Sequence, residues 1–277
     1  MDAIPLPSYE IAPLDDVASG VKGLRVLFVN IYAVQSGSGR WTLIDTALPM
    51  SAGKIKSWAE NLFGKGTKPE AIVLTHGHFD HVGAIETLVQ DWDVPVYAHR
   101  SELPYLTGDL KYPPPDPGVG GGLMAVISPL YPRTSAHLGG RAQALPEDGS
   151  VPTLPGWTYL HTPGHAPGHV SLFRAEDKLL LPGDAFCTTK QESFLSVAKQ
   201  KPELHGPPAY YTPDWGAARF SVEQLAALRP QTIAPGHGLP ITGDLVADQL
   251  GRLARDFDHY ALPHHGKYVK TASSEGK

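Results

Sequence analysis

Apolar residues fall along the chain in short runs with two different periods. Residues 24–35 (LRVLFVNIYAVQ) and 41–46 (WTLIDT) are apolar and β-branched, and the turn residues Ser36-Gly37-Ser38-Gly39 separate them, which predicts a β-hairpin. Over 51–64, Ile55, Trp58, Ala59 and Leu62 share one helical face and Gly64 supplies a stop. A short buried strand, Ala71 to Thr75, precedes a helix with Ile85, Leu88, Val89 and Trp92 at helical spacing, and 94–98 (VPVYA) reads as another strand. Periodicity then fades over 101–156, which is rich in Pro and Gly (YPPPDPGVGGG). So long an irregular stretch is more often a functional loop than filler. Three strands follow at 157–162, 169–174 and 178–181. Beyond a second irregular stretch, Ser221 and Gln224 form an expected capping box for a helix to Arg229. A strand from Thr232 to Ala234 comes next, and Val246, Leu250, Leu253 and Phe257 mark one side of a last helix. Strands and helices mix without a clean linker, which predicts one α/β domain over 1–277.

Composition narrows the function classes. A chain of 277 residues with 42% hydrophobic content can bury a sizeable core. It has no 18-residue apolar run, and MDAIPLPSYEIAPLDD lacks a charged-then-apolar leader, so no membrane span and a cytoplasmic location are expected. The single cysteine, Cys187, excludes an internal disulfide and fits a reducing compartment. A net charge of −5 without a basic, aromatic-interleaved run argues against nucleic acid. The 29 glycines and 27 prolines have no period, so they signal tight turns and shaped loops rather than a repeat. Thirteen histidines stand out.

Most of the notable ones follow buried strands. Ala71–Thr75 runs into His76-Gly77-His78-Phe79-Asp80-His81. The strand ending at Thr162 runs into Pro163-Gly164-His165, the one ending at Leu181 into Pro182-Gly183-Asp184, and the one ending at Ala234 into Pro235-Gly236-His237. Proline stops a strand and glycine lets the backbone pass close to a neighbour, and strand ends of α/β sheets are where sites are built. Five imidazoles and two carboxylates exceed what one ion needs, since a catalytic zinc takes about four ligands and keeps one for water. They suit two ions sharing a carboxylate and a hydroxide. Imidazole and carboxylate without thiolate favour zinc, with iron or manganese also fitting.

With these residues in place, the chain resembles the metallo-β-lactamase superfamily, whose signature is His-x-His-x-Asp-His followed by a distant His, Asp and His. The resemblance spans roughly residues 24 to 245 and fills every ligand position. It implies an αββα four-layer sandwich with metals at one edge. It also implies that His76, His78 and His165 hold one metal, that Asp80, His81 and His237 hold the other, and that Asp184 bridges them. A hydroxide held between two such ions would attack a carbonyl at neutral pH. Asp80, bound on one side only, is expected to carry the proton to the leaving group.

Weaker expectations concern the surroundings. Asp45 could orient a ligand histidine, and His169 reads as a packed histidine beside the ligands. Phe186, Cys187, Phe194, Tyr210, Tyr211 and Trp215 are candidates for a substrate pocket, walled by irregular segments at about 101–150 and 186–215. His264 and His265 are expected on a solvated tail. HTPGHAPGHVSLF is similar to the matching part of acyl-homoserine lactonases, so the expected activity is hydrolysis of a lactone or other carboxylic ester, a small molecule. Those lactonases carry a tyrosine three residues after the bridging aspartate, where this chain has Cys187. A glyoxalase II-like thioesterase is the alternative, although that family binds glutathione with a C-terminal helical region and 40 residues follow His237 here. A mononuclear-iron sulfur dioxygenase is a further alternative, which metal content would separate.

Overall fold

Two short strands, β1 (Ile4–Pro5) and β2 (Glu10–Ile11), precede a six-stranded sheet in a computed structural model that describes residues 4–5, 10–37, 39–133, 136–199 and 202–269. Residues 1–3 and 6–9 of the N-terminal stretch read for a leader, Ser38 of the turn, and four residues of the two expected pocket segments lie outside that set. The first sheet is built from β3 (Val21–Val26), β4 (Val29–Gly37), β5 (Arg40–Ile44), β6 (Ala71–Val73), β7 (Val96–Ala98) and β8 (Ala142–Ala144), adjacent in chain order. Its first pairings are antiparallel, and those from β5 onward are parallel. Parallel neighbours need a crossover, which helices Ala52–Phe63 and Ile85–Trp92 supply.

The second sheet uses β9 (Trp157–His161), β10 (Val170–Arg174), β11 (Leu179–Leu181), β13 (Thr232–Ile233) and β14 (Ile241–Thr242) in the order β2-β14-β13-β11-β10-β9. Strand β12 (Glu203–Leu204) pairs with β1 alone.

Alternation along the strands shows four layers. In β4, Tyr32 and Val34 face Trp157, Val170, Leu172, Leu179 and Leu181 of the other sheet. Ile31 and Ala33, which alternate with them in sequence, face the helix residues Ile55, Ile85 and Leu88. Leu180 and Ile233 likewise turn away from the first sheet, onto Val222, Leu225, Leu250 and Leu253 of helices Trp215–Ala227 and Val246–Arg255. The fold is therefore an αββα sandwich. A one-residue slip of any central strand would exchange its two buried faces, each fully buried Leu, Ile or Val being worth about 1.5–3 kcal/mol.

Two expectations need correction. Residues 24–35 are not one strand but two, because the chain reverses at Leu27-Phe28 with Val26 paired to Val29. Leu27 adopts a left-handed φ of 57° there, without the Gly or Asn that usually marks such a turn. The capping box is absent too. The helix starts at Trp215, capped by Asp214, whose side chain accepts from the Ala217 amide at 2.9 Å. Ser221 lies inside it and donates to the Pro163 carbonyl at 2.7 Å.

Candidate metal centre

The four ligand-bearing strand ends meet at one edge of the sandwich. His76 and His78 follow β6, and Asp80 and His81 lie on the single turn Phe79–Val82. His165, Asp184 and His237 follow β9, β11 and β13 of the other sheet. All seven are buried. Their ligand atoms form three groups, each within 4.8 Å: His76, His78 and His165; His76, His81 and Asp184; and Asp80, His81 and His237. Asp184 stands between the outer two groups. Its Oδ2 is 3.5 Å from His165 Nε2 and 3.1 Å from His237 Nε2, and its Oδ1 is 3.5 Å from His81 Nε2. His237 Nε2 also lies 3.4 Å from Asp80 Oδ2.

Hydrogen bonds on the far side of each ring decide which nitrogen faces inward. His237 Nδ1 meets the Phe28 carbonyl at 2.8 Å and His81 Nδ1 meets Asp45 Oδ2 at 2.8 Å. Both partners only accept, so each Nδ1 carries the hydrogen and each Nε2 is turned to the cluster. Thr75 Oγ1 gives its own hydrogen to Asp45 at 2.7 Å, so it accepts from His76 Nδ1 at 3.1 Å. Thr212 Oγ1 gives its hydrogen to the Pro208 carbonyl and faces His165 Nδ1 at 3.4 Å. His76 Nε2 and His165 Nε2 therefore point inward, and His78 Nδ1 joins them 2.9 Å from His165 Nε2.

This arrangement fits cations. His76 Nε2, His81 Nε2 and Asp184 Oδ1 are buried without a hydrogen-bond partner, a cost that a bound ion removes. Burial holds His76 and His165 well below the ordinary histidine value, with neighbouring imidazoles adding to it, and lowers His78 to about 4. Burial also opposes charge on His81 and His237, but the carboxylates around them together outweigh it, Asp184 and Asp45 raising His81 well above its ordinary value and Asp184 and Asp80 raising His237 to about 10. In the metal-free chain, protons on these two rings stand where a second cation would. Three neutral rings on one side and an acid-rich group on the other are the donors two divalent ions want.

The profile of the metallo-beta-lactamase superfamily matches residues 24–237. The chain belongs to that superfamily. It is 49% identical over 253 residues to the probable metallo-hydrolase YflN of Bacillus subtilis, covering 91% of this chain and 96% of that one. It is 32% identical over 117 residues to the hydroxyacylglutathione hydrolase GloC of Haemophilus influenzae, over 42% and 49% of the two chains. Among solved structures, TTHA1623 in a di-iron-bound form is similar, with 31% identity, a TM-score of 0.55 and coverage of 85% and 96%. A B3 metallo-beta-lactamase, BLEG-1, shares the fold with 23% identity, a TM-score of 0.58 and the same coverage. The chain is thus a metallo-hydrolase of this superfamily with a metal-binding His/Asp cluster.

Around this superfamily site the weaker candidates divide. Asp45 accepts from His81, from the Thr75 amide at 2.8 Å and from the Thr75 hydroxyl, which fixes the orientation of the His81 ring. His169 keeps both ring nitrogens inside the protein. Nε2 accepts from the Asp184 amide at 2.9 Å, Nδ1 meets Thr162 Oγ1 at 2.9 Å, and a chain of hydroxyls continues through Ser171 to the Pro182 carbonyl. Gly183 has a φ of +56°, and a Cβ there would come within 2.6 Å of His169 Nε2, which explains glycine before Asp184.

Both expected wall segments reach the ligands. Tyr112 from one meets the His78 ring edge-on with centroids 4.4 Å apart, and Tyr211 from the other stacks on it at 4.7 Å. Tyr131 reaches Phe79, Tyr210 and Tyr211 at 5.6, 6.0 and 6.1 Å. Other pocket candidates sit elsewhere. Phe186 has no exposed surface and packs into the core beneath the second helical layer. Phe194 is 54% exposed on helix Phe194–Lys199. Trp215 lines a cavity of about 400 Å³ with Leu262 and Tyr268, and its ring contact is with Phe257. Cys187 is buried, and burial, then Asp184, pushes its thiol well above the usual range. His264 and His265 are exposed, as expected. Glu102, Tyr112 and Tyr131 were not singled out from the sequence. No helix among the described residues is long and apolar enough to cross a membrane.

Proposed function

We propose that this chain hydrolyses a carboxylic ester, foremost a lactone with an apolar substituent, using two zinc ions. The aromatic wall at the ligands carries this reading: Tyr112 and Tyr211 both contact the His78 ring, with Tyr131 and Tyr210 beside Tyr211. Such walls suit an uncharged, apolar group better than glutathione or a phosphodiester, which call for cations. Divalent ions, when bound, supply an activated water near neutral pH and polarise the carbonyl under attack. Asp184 fixes the spacing between the two ligand groups. Asp80 turns Oδ2 toward His237, which leaves Oδ1 to take a proton and return it to the leaving alkoxide.

Cys187 occupies the place of the lactonase tyrosine, and its backbone is paired with His205 in both directions. Tyr210 is buried, feels the charge of Asp80, and has no hydrogen-bond partner for its hydroxyl among the described residues. It takes the role of donor to the substrate carbonyl. The substrate is a small molecule, and the whole chain acts as one cytoplasmic hydrolase domain.

A second reading, thioester hydrolysis, rests on the likeness to a hydroxyacylglutathione hydrolase. The deciding measurement is kcat/KM on matched lactone and glutathione thioester substrates, with metal content determined on the same samples. A lactone preference is expected, and Tyr210→Phe should lower kcat on the lactone about 10²–10³-fold at unchanged metal content. A clear thioester preference overturns the ester reading. A single iron with oxygen uptake would instead indicate a sulfur dioxygenase.

A further inference from the structure

Glu102 ends the turn Arg100–Glu102 after β7 and has no exposed surface. Its carboxylate takes three donors. Oε1 accepts from the Gly168 amide at 2.7 Å, and Oε2 accepts from the Gly77 amide at 2.8 Å and from the Tyr112 hydroxyl. Gly77 lies between His76 and His78, and Gly168 lies in the loop from His165 to His169. One side chain therefore holds two ligand loops that come from different sheets.

The space around it is correspondingly tight. A Cβ on Gly168 would lie 2.7 Å from Glu102 N and 2.8 Å from its Cγ, and one on Gly77 would lie 3.2 Å from Oε2. Glycine at both positions is what lets the carboxylate approach. The Tyr112 ring, 4.4 Å from His78, also makes a parallel stack on Tyr105 at 4.2 Å. A buried carboxylate whose partners are all neutral is costly. Glutamine cannot replace it without loss, because an amide has one accepting end and both ends here face N–H groups.

We infer that Glu102 is a positioning residue of the metal centre, clamping the His76–His78 loop to the His165 loop so that three inward lone pairs converge. Tyr112 is its partner and transmits the same restraint to the His78 ring. The inference holds whichever substrate the site takes, and its test does not use substrate.

The test is a metal competition titration of Glu102→Gln and Tyr112→Phe against a chromophoric chelator, supported by visible spectra of the cobalt-loaded proteins. In Glu102→Gln the affinity of the His76, His78 and His165 group should fall about 10–100-fold. The Asp80, His81 and His237 group should stay within about threefold, well under that range. Tyr112→Phe should show a smaller loss at the same group, with its cobalt band shifted. Equal weakening of both groups, or unchanged affinities with a lowered Tm of the metal-free protein, overturns the inference and leaves Glu102 a structural brace. If Glu102→Gln does not fold, Tyr112→Phe decides, and wild-type affinity at the first group then overturns it.

Discussion

Replacing Asp45 by Asn removes one charge and almost no volume, so its effect can be worked from the hydrogen bonds. The carboxylate accepts from the Thr75 amide, the Thr75 hydroxyl and His81 Nδ1. In the variant, Oδ1 keeps the Thr75 amide while an NH₂ takes the place of Oδ2. The hydroxyl can rotate and accept instead. His81 cannot, because moving its hydrogen to Nε2 would remove the lone pair turned to the cluster. One charge-assisted hydrogen bond is lost, worth about 1.5–3 kcal/mol. At about 1.4 kcal/mol per tenfold, that is roughly a 10–100-fold weaker hold on a cation bound at Asp80, His81 and His237. The assay is metal content by elemental analysis after dialysis against graded chelator. Loss of one ion per chain at a lower chelator concentration than wild type is expected, with the second ion retained. Retention of both ions to wild-type concentrations, or their loss together, would refute the reasoning.

Two further outcomes follow from contacts away from the metals. Asp214→Ala removes the N-cap of helix Trp215–Ala227 and should destabilise the protein by about 1 kcal/mol in chemical denaturation, whereas Gln224→Ala should cost less than half that, and the reverse order would restore the capping box. His99 is lowered to about 4, first by burial and then by the His161 ring stacked 4.0 Å away. Its folded value is depressed below the unfolded one near 6.5, so its stabilising contribution is complete above about pH 6.5 and is lost as pH falls toward 4. A proton NMR titration should place His99 near 4 in the wild type and higher in His161→Leu, and a wild-type midpoint near 6.5 would contradict this.

The convergence of the seven candidate ligands was legible because they sit in short motifs at strand ends, where residue type and spacing carry the chemistry. Asp45 could be read for the same reason, since it directly follows the strand WTLI. Glu102 was not legible: two of its three partners are backbone amides of distant loops, and sequence does not show where an amide points. The reversal at Leu27 was missed because its left-handed residue is neither Gly nor Asn. The start at Trp215 was missed because Ser221, a good cap by type, spends its hydroxyl on Pro163 across a tertiary contact. Phe186 was misplaced because proximity to Asp184 in sequence says nothing about the face on which the side chain leaves the strand end.

The seven candidate ligands divide unevenly between the sheets, four after β6 of the first and three after β9, β11 and β13 of the second. An ion held by both sets is a rivet between the two halves of the sandwich, and its tightness is set from outside the chain. Each tenfold rise in free metal above its dissociation constant adds about 1.4 kcal/mol to the folded state. The strength of the seam between the sheets is then a property of the surrounding metal supply as much as of the apolar side chains that fill it.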